Sequence, residues 1–134
     1  MEKISFPAKL ENLEAMIDFI IAFAQNKKFP DDKLNQIRLA CEEVLVNVIN
    51  YAYPGSPGEV EIVCSEAGGK GVIIEVMDSG IPFNPLEKEP PDISQPIERR
   101  KIGGLGIFLA KKVMDELSYE RKENKNSLRL VKYA

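Results

Sequence analysis

The 134 residues contain no histidine. That gap removes Ser–His–Asp and Cys–His nucleophilic catalysis, histidine-based zinc sites and phosphorelay from a histidine on this chain. Cysteine is scarce too: Cys41 and Cys64 are the only two, too few for a disulfide framework or a thiolate metal centre. One falls on the apolar side of a helical pattern and the other in a strand pattern, as buried free thiols do. No apolar run is long enough to cross a bilayer, and the opening "MEKISFPAKL" lacks the apolar stretch of a signal peptide. A cytoplasmic protein without membrane contact is the expectation. A formal net charge of −3 offers no electrostatic footprint for direct nucleic-acid binding.

What is present describes a soluble globular chain, 44% hydrophobic and 29% charged, whose length suits one domain over residues 1–134. "KISFPA" reads as a short strand. From Glu11 to Gln25, apolar residues recur at helical spacing, with Asn12 as a candidate cap. After "KKFPDD", a second helix is expected from a cap at Asp31 or Asp32 to about Tyr51, where "YPGSPGE" stops it. "VEIVCSEA" and "GVIIEVMDSG" form two strands joined at "GGKG". Residues 81 to about 102 are rich in proline and charge, a connection of a length that is usually either functional or disordered. "GGLGIFLAKKVMDEL" predicts a glycine-led helix with Ile107, Leu109, Ala110, Val113, Met114 and Leu117 on its apolar side. "SYERKE" and "SLRLVKY" predict two alternating strands around "NKN". Helices grouped against a mixed, mostly antiparallel sheet make an α+β fold, a two-layer α/β sandwich.

The second helix carries an oddity. Ile37, Cys41, Val44, Leu45, Val48 and Ala52 form its broad apolar face. Glu43, Asn47 and Asn50 share another side, bordered by Leu39, Ala40, Val46 and Tyr51. Such a stripe can be a solvated helix edge. Asparagine is nevertheless a poor helix former, and two in one helix interior carry a cost. A carboxylate and an amide oxygen one turn apart can also divide a task, one taking a proton and the other supplying oxygen to Mg²⁺.

Two glycine motifs bear on that choice. "VMDSGIPF" sets Asp78 at a strand end before Gly80. The carboxylate can accept a hydrogen bond from an exocyclic amino group, and the glycine lets a flat ring approach the backbone; a ligand-free Asp-Ser-Gly turn is the alternative. "KIGGLGIFLAKKV" puts Gly103, Gly104 and Gly106 at a helix start, where free amides and the positive helix end suit phosphate, unless the glycines are merely a flexible lead-in. A dinucleotide fingerprint fails, because Leu109 stands at the third glycine position and no strand precedes the motif; nor is there a Walker A sequence.

Together these stretches resemble the GHKL ATPase superfamily. The order agrees over essentially the whole chain: an N-box helix with E-x-x-x-N (Glu43, Asn47), a D-x-G turn (Asp78, Gly80), a lid at about 81–102, then G-x-G (Gly104, Gly106). Within it, "ACEEVLVNVINYAYP", "DSGIPFNP" and "GGLGIFLAKKVMDEL" look most like the short bacterial anti-sigma-factor serine/threonine kinases. The resemblance implies ATP and Mg²⁺ as cofactors, with Asn47 holding the metal and Glu43 acting as general base toward a partner's serine or threonine. It implies that Asp78 and Gly80 bind adenine and that Gly103, Gly104 and Gly106 bind phosphate. Arg100 ranks slightly ahead of Arg99 and Lys101 for the γ-phosphate. It further implies a STAS-type antagonist as phosphoryl acceptor, a sigma factor as second partner, and a homodimer. Pro82 replaces the second glycine of D-x-G-x-G. Asn50 stands where many relatives have histidine, either as a polar contact near the metal or as helix-edge solvation. Ser127 is the candidate for the threonine usually found on the terminal strand. Competing readings are an ATP-holding clamp without productive transfer, and a partner-switching kinase with a non-sigma target.

Overall fold

The computed structural model describes residues 1–68, 70–87 and 104–134. In chain order they form β1 (Glu2–Pro7), α1 (Leu13–Gln25), α2 (Asp31–Tyr51), β2 (Glu59–Glu66), β3 (Gly71–Asp78), α3 (Gly104–Val113), β4 (Glu116–Lys122) and β5 (Lys125–Tyr133), with one-turn 3-10 segments at Leu10–Asn12 and Pro85–Glu87. The strands make one five-stranded sheet in the order β1-β2-β3-β5-β4. Every pairing is antiparallel, so the sheet is not mixed. Each sequential strand pair returns through a hairpin or beside its neighbour, which leaves no parallel crossover to build.

Period-two alternation sends Val60, Ile62, Cys64, Ile74, Val76, Leu128 and Leu130 to one sheet face, where they are buried. Met16, Ile17 and Ile20 of α1 meet them, as do Ile37, Val44 and Leu45 of α2 and Ile107 and Ala110 of α3. Each large apolar side chain so buried contributes about 1.5–3 kcal/mol before conformational entropy is counted. Both α1 and α3 pack on α2, which therefore lies at the centre of the helical layer. This is the two-layer α+β arrangement expected from the sequence.

Several boundaries differ from the sequence reading. Pro30, extended at ψ 156°, occupies the N-cap of α2, and Asp31 and Asp32 lie inside its first turn, where their charge favours the positive helix end. Asn12 precedes α1 but its side chain caps nothing; its amide donates instead to the Pro7 carbonyl at 3.0 Å. α3 stops at Val113 and not at Leu117. Buried Lys132 reaches from β5 to donate to the Val113 carbonyl, which closes the helix end, and the Asp115 amide already bonds to Val131 on β5. Leu117 consequently belongs to β4, paired with Leu130, while Leu109 is 37% exposed. The β4–β5 turn sits at Glu123 and Asn124, both with positive φ (54° and 64°), one step before "NKN".

Candidate functional site

α2 brings the first two candidates together because it continues unbroken through them. Asn47 is 1% exposed, and its Nδ2 donates to the Glu43 carbonyl one turn back at 2.7 Å. That bond fixes the amide's orientation, since flipping it would set oxygen against oxygen. Asn47 Oδ1 is then left without a hydrogen bond, alone among the buried side-chain nitrogens and oxygens of the described residues. A buried acceptor with no partner costs about 1–3 kcal/mol, and hard cations are held by such oxygens. The residues present thus fit a divalent cation at this one position. Glu43 is half-buried on the same edge. Burial first, and the neighbouring Glu42 charge second, push its carboxyl above the ordinary carboxylate range. Asn50 follows on that side but is exposed.

The end of β3 is built to hold a carboxylate still. Asp78 is 5% exposed, and its Oδ1 accepts from the Gly80 amide and from Asn126 Nδ2, both at 2.9 Å. Asp78 Oδ2 takes no hydrogen bond from any described residue. Around it, the turn's backbone groups are claimed one by one. The Tyr53 hydroxyl accepts from the Ser79 amide at 2.8 Å and donates to the Glu59 carbonyl at 2.7 Å. Arg121 Nη1 donates to the Gly80 carbonyl at 2.8 Å, and the Ile81 amide donates to the Ala52 carbonyl at 2.9 Å. Gly80 has no room for a side chain: a Cβ there would lie 2.1 Å from the Ala52 oxygen. Gly80 thereby docks the turn on the end of α2.

That docking sets an order along one helix. From Ala52, where the turn rests, Asn47 is five residues back and Glu43 nine. At 1.5 Å per residue these are axial separations of about 7.5 and 13.5 Å. A strand-end carboxylate, an unpartnered amide oxygen and a half-buried carboxylate therefore follow one another along α2.

Gly104 opens α3 and Gly106 lies in its first turn, where helix amides have no intrahelical partner and the dipole is positive. Gly103, Arg99, Arg100 and Lys101 lie outside the described residues.

Ser127 is not brought to this site. It pairs with Met77 and points to the sheet face opposite Asp78, because alternation reverses at each residue. Its neighbour Asn126 pairs with Asp78 and is 3% exposed. Sequence reasoning missed Asn126, Tyr53 and Arg121. The register of β3 against β5 would have found Asn126, had the turn been placed at Glu123 and Asn124.

The fold and this arrangement define a nucleotide-binding class. Residues 6–132 match the family model of the histidine kinase-like ATPase domain, and the chain belongs to that family. Its similarities narrow the class further. Serine-protein kinase RsbW of Bacillus thuringiensis (strain Al Hakam) and that of Bacillus cereus (strain 03BB102) are each 31% identical over 136 residues, covering 98% of this chain and 83% of theirs. Among solved structures, the RsbU and RsbW domains of Rv1364c from Mycobacterium tuberculosis superpose with a TM-score of 0.65 at 14% identity, covering 99% of this chain and 32% of that longer one. The catalytic domain of histidine kinase ThkA gives a TM-score of 0.57 at 19% identity, covering 99% and 96%. At those identities the structures speak for the GHKL fold, while the sequence relatives group the chain with serine-protein kinases and with the use of ATP.

Proposed function

We propose that this chain, as a single domain with a lid at about 81–102, transfers the γ-phosphoryl group of ATP to a serine or threonine hydroxyl of a STAS-type antagonist. In this reading it also sequesters a sigma factor while the antagonist is phosphorylated, acts as a homodimer, and works in the cytoplasm. The observation that carries the reading is the unpartnered Asn47 Oδ1 one turn from a carboxylate held above its ordinary range.

Asn47 would hold Mg²⁺ through Oδ1, and the bound metal would supply charge neutralisation at the phosphates. Glu43 takes the proton of the attacking hydroxyl as the new oxygen–phosphorus bond forms. The bond from Pγ to the bridging oxygen breaks, and ADP leaves with that electron pair. A carboxylate whose affinity for protons has been raised is the better base for this step. Asp78 accepts the adenine amino group at Oδ2. Gly103, Gly104 and Gly106 present amides to the phosphates, with Arg100 as the lid cation for the γ-phosphate. Exposure of Asn50 favours helix-edge solvation over a metal contact. A clamp without transfer has no use for a raised carboxylate at position 43, which favours the kinase reading.

Calorimetric titration with Mg-ATP, Mg-GTP and metal-free ATP tests the site, beside Asn47→Ala. The expected result is adenine-selective, magnesium-dependent binding that Asn47→Ala weakens by at least about tenfold. Glu43→Ala should bind Mg-ATP yet fail to phosphorylate the cognate antagonist. Transfer by Glu43→Ala at the parent rate, or no nucleotide binding by the parent, would sink the assignment.

A further inference from the structure

Resting on that ATP reading, we propose that Asn126 is a positioning residue which sets adenine selectivity by holding Asp78 and ties the base pocket to the root of the lid segment. Its side-chain amide uses every position it has. Nδ2 donates to Asp78 Oδ1 at 2.9 Å and to the Ile81 carbonyl at 2.7 Å. Oδ1 accepts from the Tyr119 hydroxyl and from the Phe83 amide, the latter at 3.4 Å. An amide offers two donors and about two acceptor positions, and all four are taken. Rotating it by half a turn would press Oδ1 against a carboxylate and a carbonyl, and Nδ2 against an N–H. Only one orientation is compatible with its surroundings.

Two consequences follow for Asp78. Its Oδ1 is filled by Asn126 and the Gly80 amide, so Oδ2 is the oxygen left for a ligand. Two donors on one carboxylate oxygen also fix the orientation of the group, so that Oδ2 presents an acceptor in one direction. Adenine presents a donor amino group where guanine presents a carbonyl. An acceptor fixed in place therefore rewards one base and repels the other, and discrimination of this polar kind is steep. The second half of the network reaches Ile81 and Phe83, the first residues after the Asp-Ser-Gly turn. One rigid amide thus joins Asp78 and the first residues of the lid segment in a single hydrogen-bonded unit. Tyr119, on β4, braces the post from behind.

The test is the ratio of Mg-ATP to Mg-GTP affinity, read by calorimetry on the full chain with thermal unfolding alongside. Asn126→Asp keeps the shape but turns the donor into an oxygen facing Asp78; Asn126→Ala removes the post. Both should lower the ATP:GTP ratio by about tenfold or more, the scale of one lost buried hydrogen bond. Should either fail to fold, Tyr119→Phe frees the amide without opening a cavity and should lower the ratio by a smaller factor. Variants that are less stable yet keep the parent ratio would mean that Asn126 is merely structural, and the inference falls while the ATP reading stands. A parent that binds neither nucleotide overturns both.

Discussion

In the proposed kinase reading, function and stability oppose each other at Glu43. Its carboxyl is raised above its ordinary value of 4.5 by burial and by Glu42. The folded state therefore binds the proton more tightly than the unfolded chain. The favourable contribution is fully present below the ordinary value and is lost as pH rises through the folded one, so at neutral pH the ionised group opposes folding. Glu43→Gln should accordingly shift the urea midpoint upward at pH 7 and leave it unchanged near pH 4, while abolishing phosphoryl transfer. The parent's transfer rate should rise along an acidic limb lying above 4.5. Glu43 and Asn47 could be singled out as candidates because a polar residue inside a periodic apolar pattern is costly without a task, and Asp78 because it ends a strand pattern just before Gly80. Asn126 could not, since its partner Asp78 lies 48 residues away and sequence does not print strand register. The neighbouring Ser127 looked equivalent, and one residue of shift puts it on the wrong face.

At the scale of elements, the Asp-Ser-Gly turn and the C-terminal end of α2 behave as one piece. Gly80→Ala forces a methyl group toward the Ala52 carbonyl, which is backbone and cannot swing aside. A cost of about 1–3 kcal/mol is expected in urea unfolding, together with weaker Mg-ATP binding, because Asp78 moves with the turn. Helices and strands were recognisable from their periods, and their order was read correctly. Their ends were decided by partners distant in sequence. Lys132 and Val131 on β5 end α3 and start β4, although the apolar spacing of Met114 and Leu117 would suit a longer helix. The cap of α2 shifted by one residue because Pro30, held extended, already supplies the turn into the helix.

For the molecule as a whole, the core is shared by three helices and one sheet face, and both cysteines sit inside it. Cys41 and Cys64 are each fully buried. Burial pushes the Cys64 thiol up to about 12 and the Cys41 thiol up as well, so neither holds appreciable thiolate at neutral pH. Native protein should leave a disulfide reagent such as DTNB unconsumed over minutes, and both thiols should react on unfolding in urea. Fast reaction of either one in the native state would show that the helical layer opens locally. No helix of the described residues is long and apolar enough to cross a membrane. The overall architecture was legible because a helical period, a strand period and glycine-rich punctuation alternate cleanly along the chain.

The closely bonded turn at Ser79 to Ile81 also bears on occupancy. Its three amides and the Gly80 and Ile81 carbonyls are satisfied by Tyr53, Asp78, Arg121, Ala52 and Asn126 before any ligand arrives, so little chain entropy is lost when a base docks there. Such a berth grips spent and fresh nucleotide alike, because ADP and ATP carry the same base. In the ATP reading, ADP would then compete with ATP for the same berth, and the cellular ratio of the two nucleotides would set how many copies are free to react.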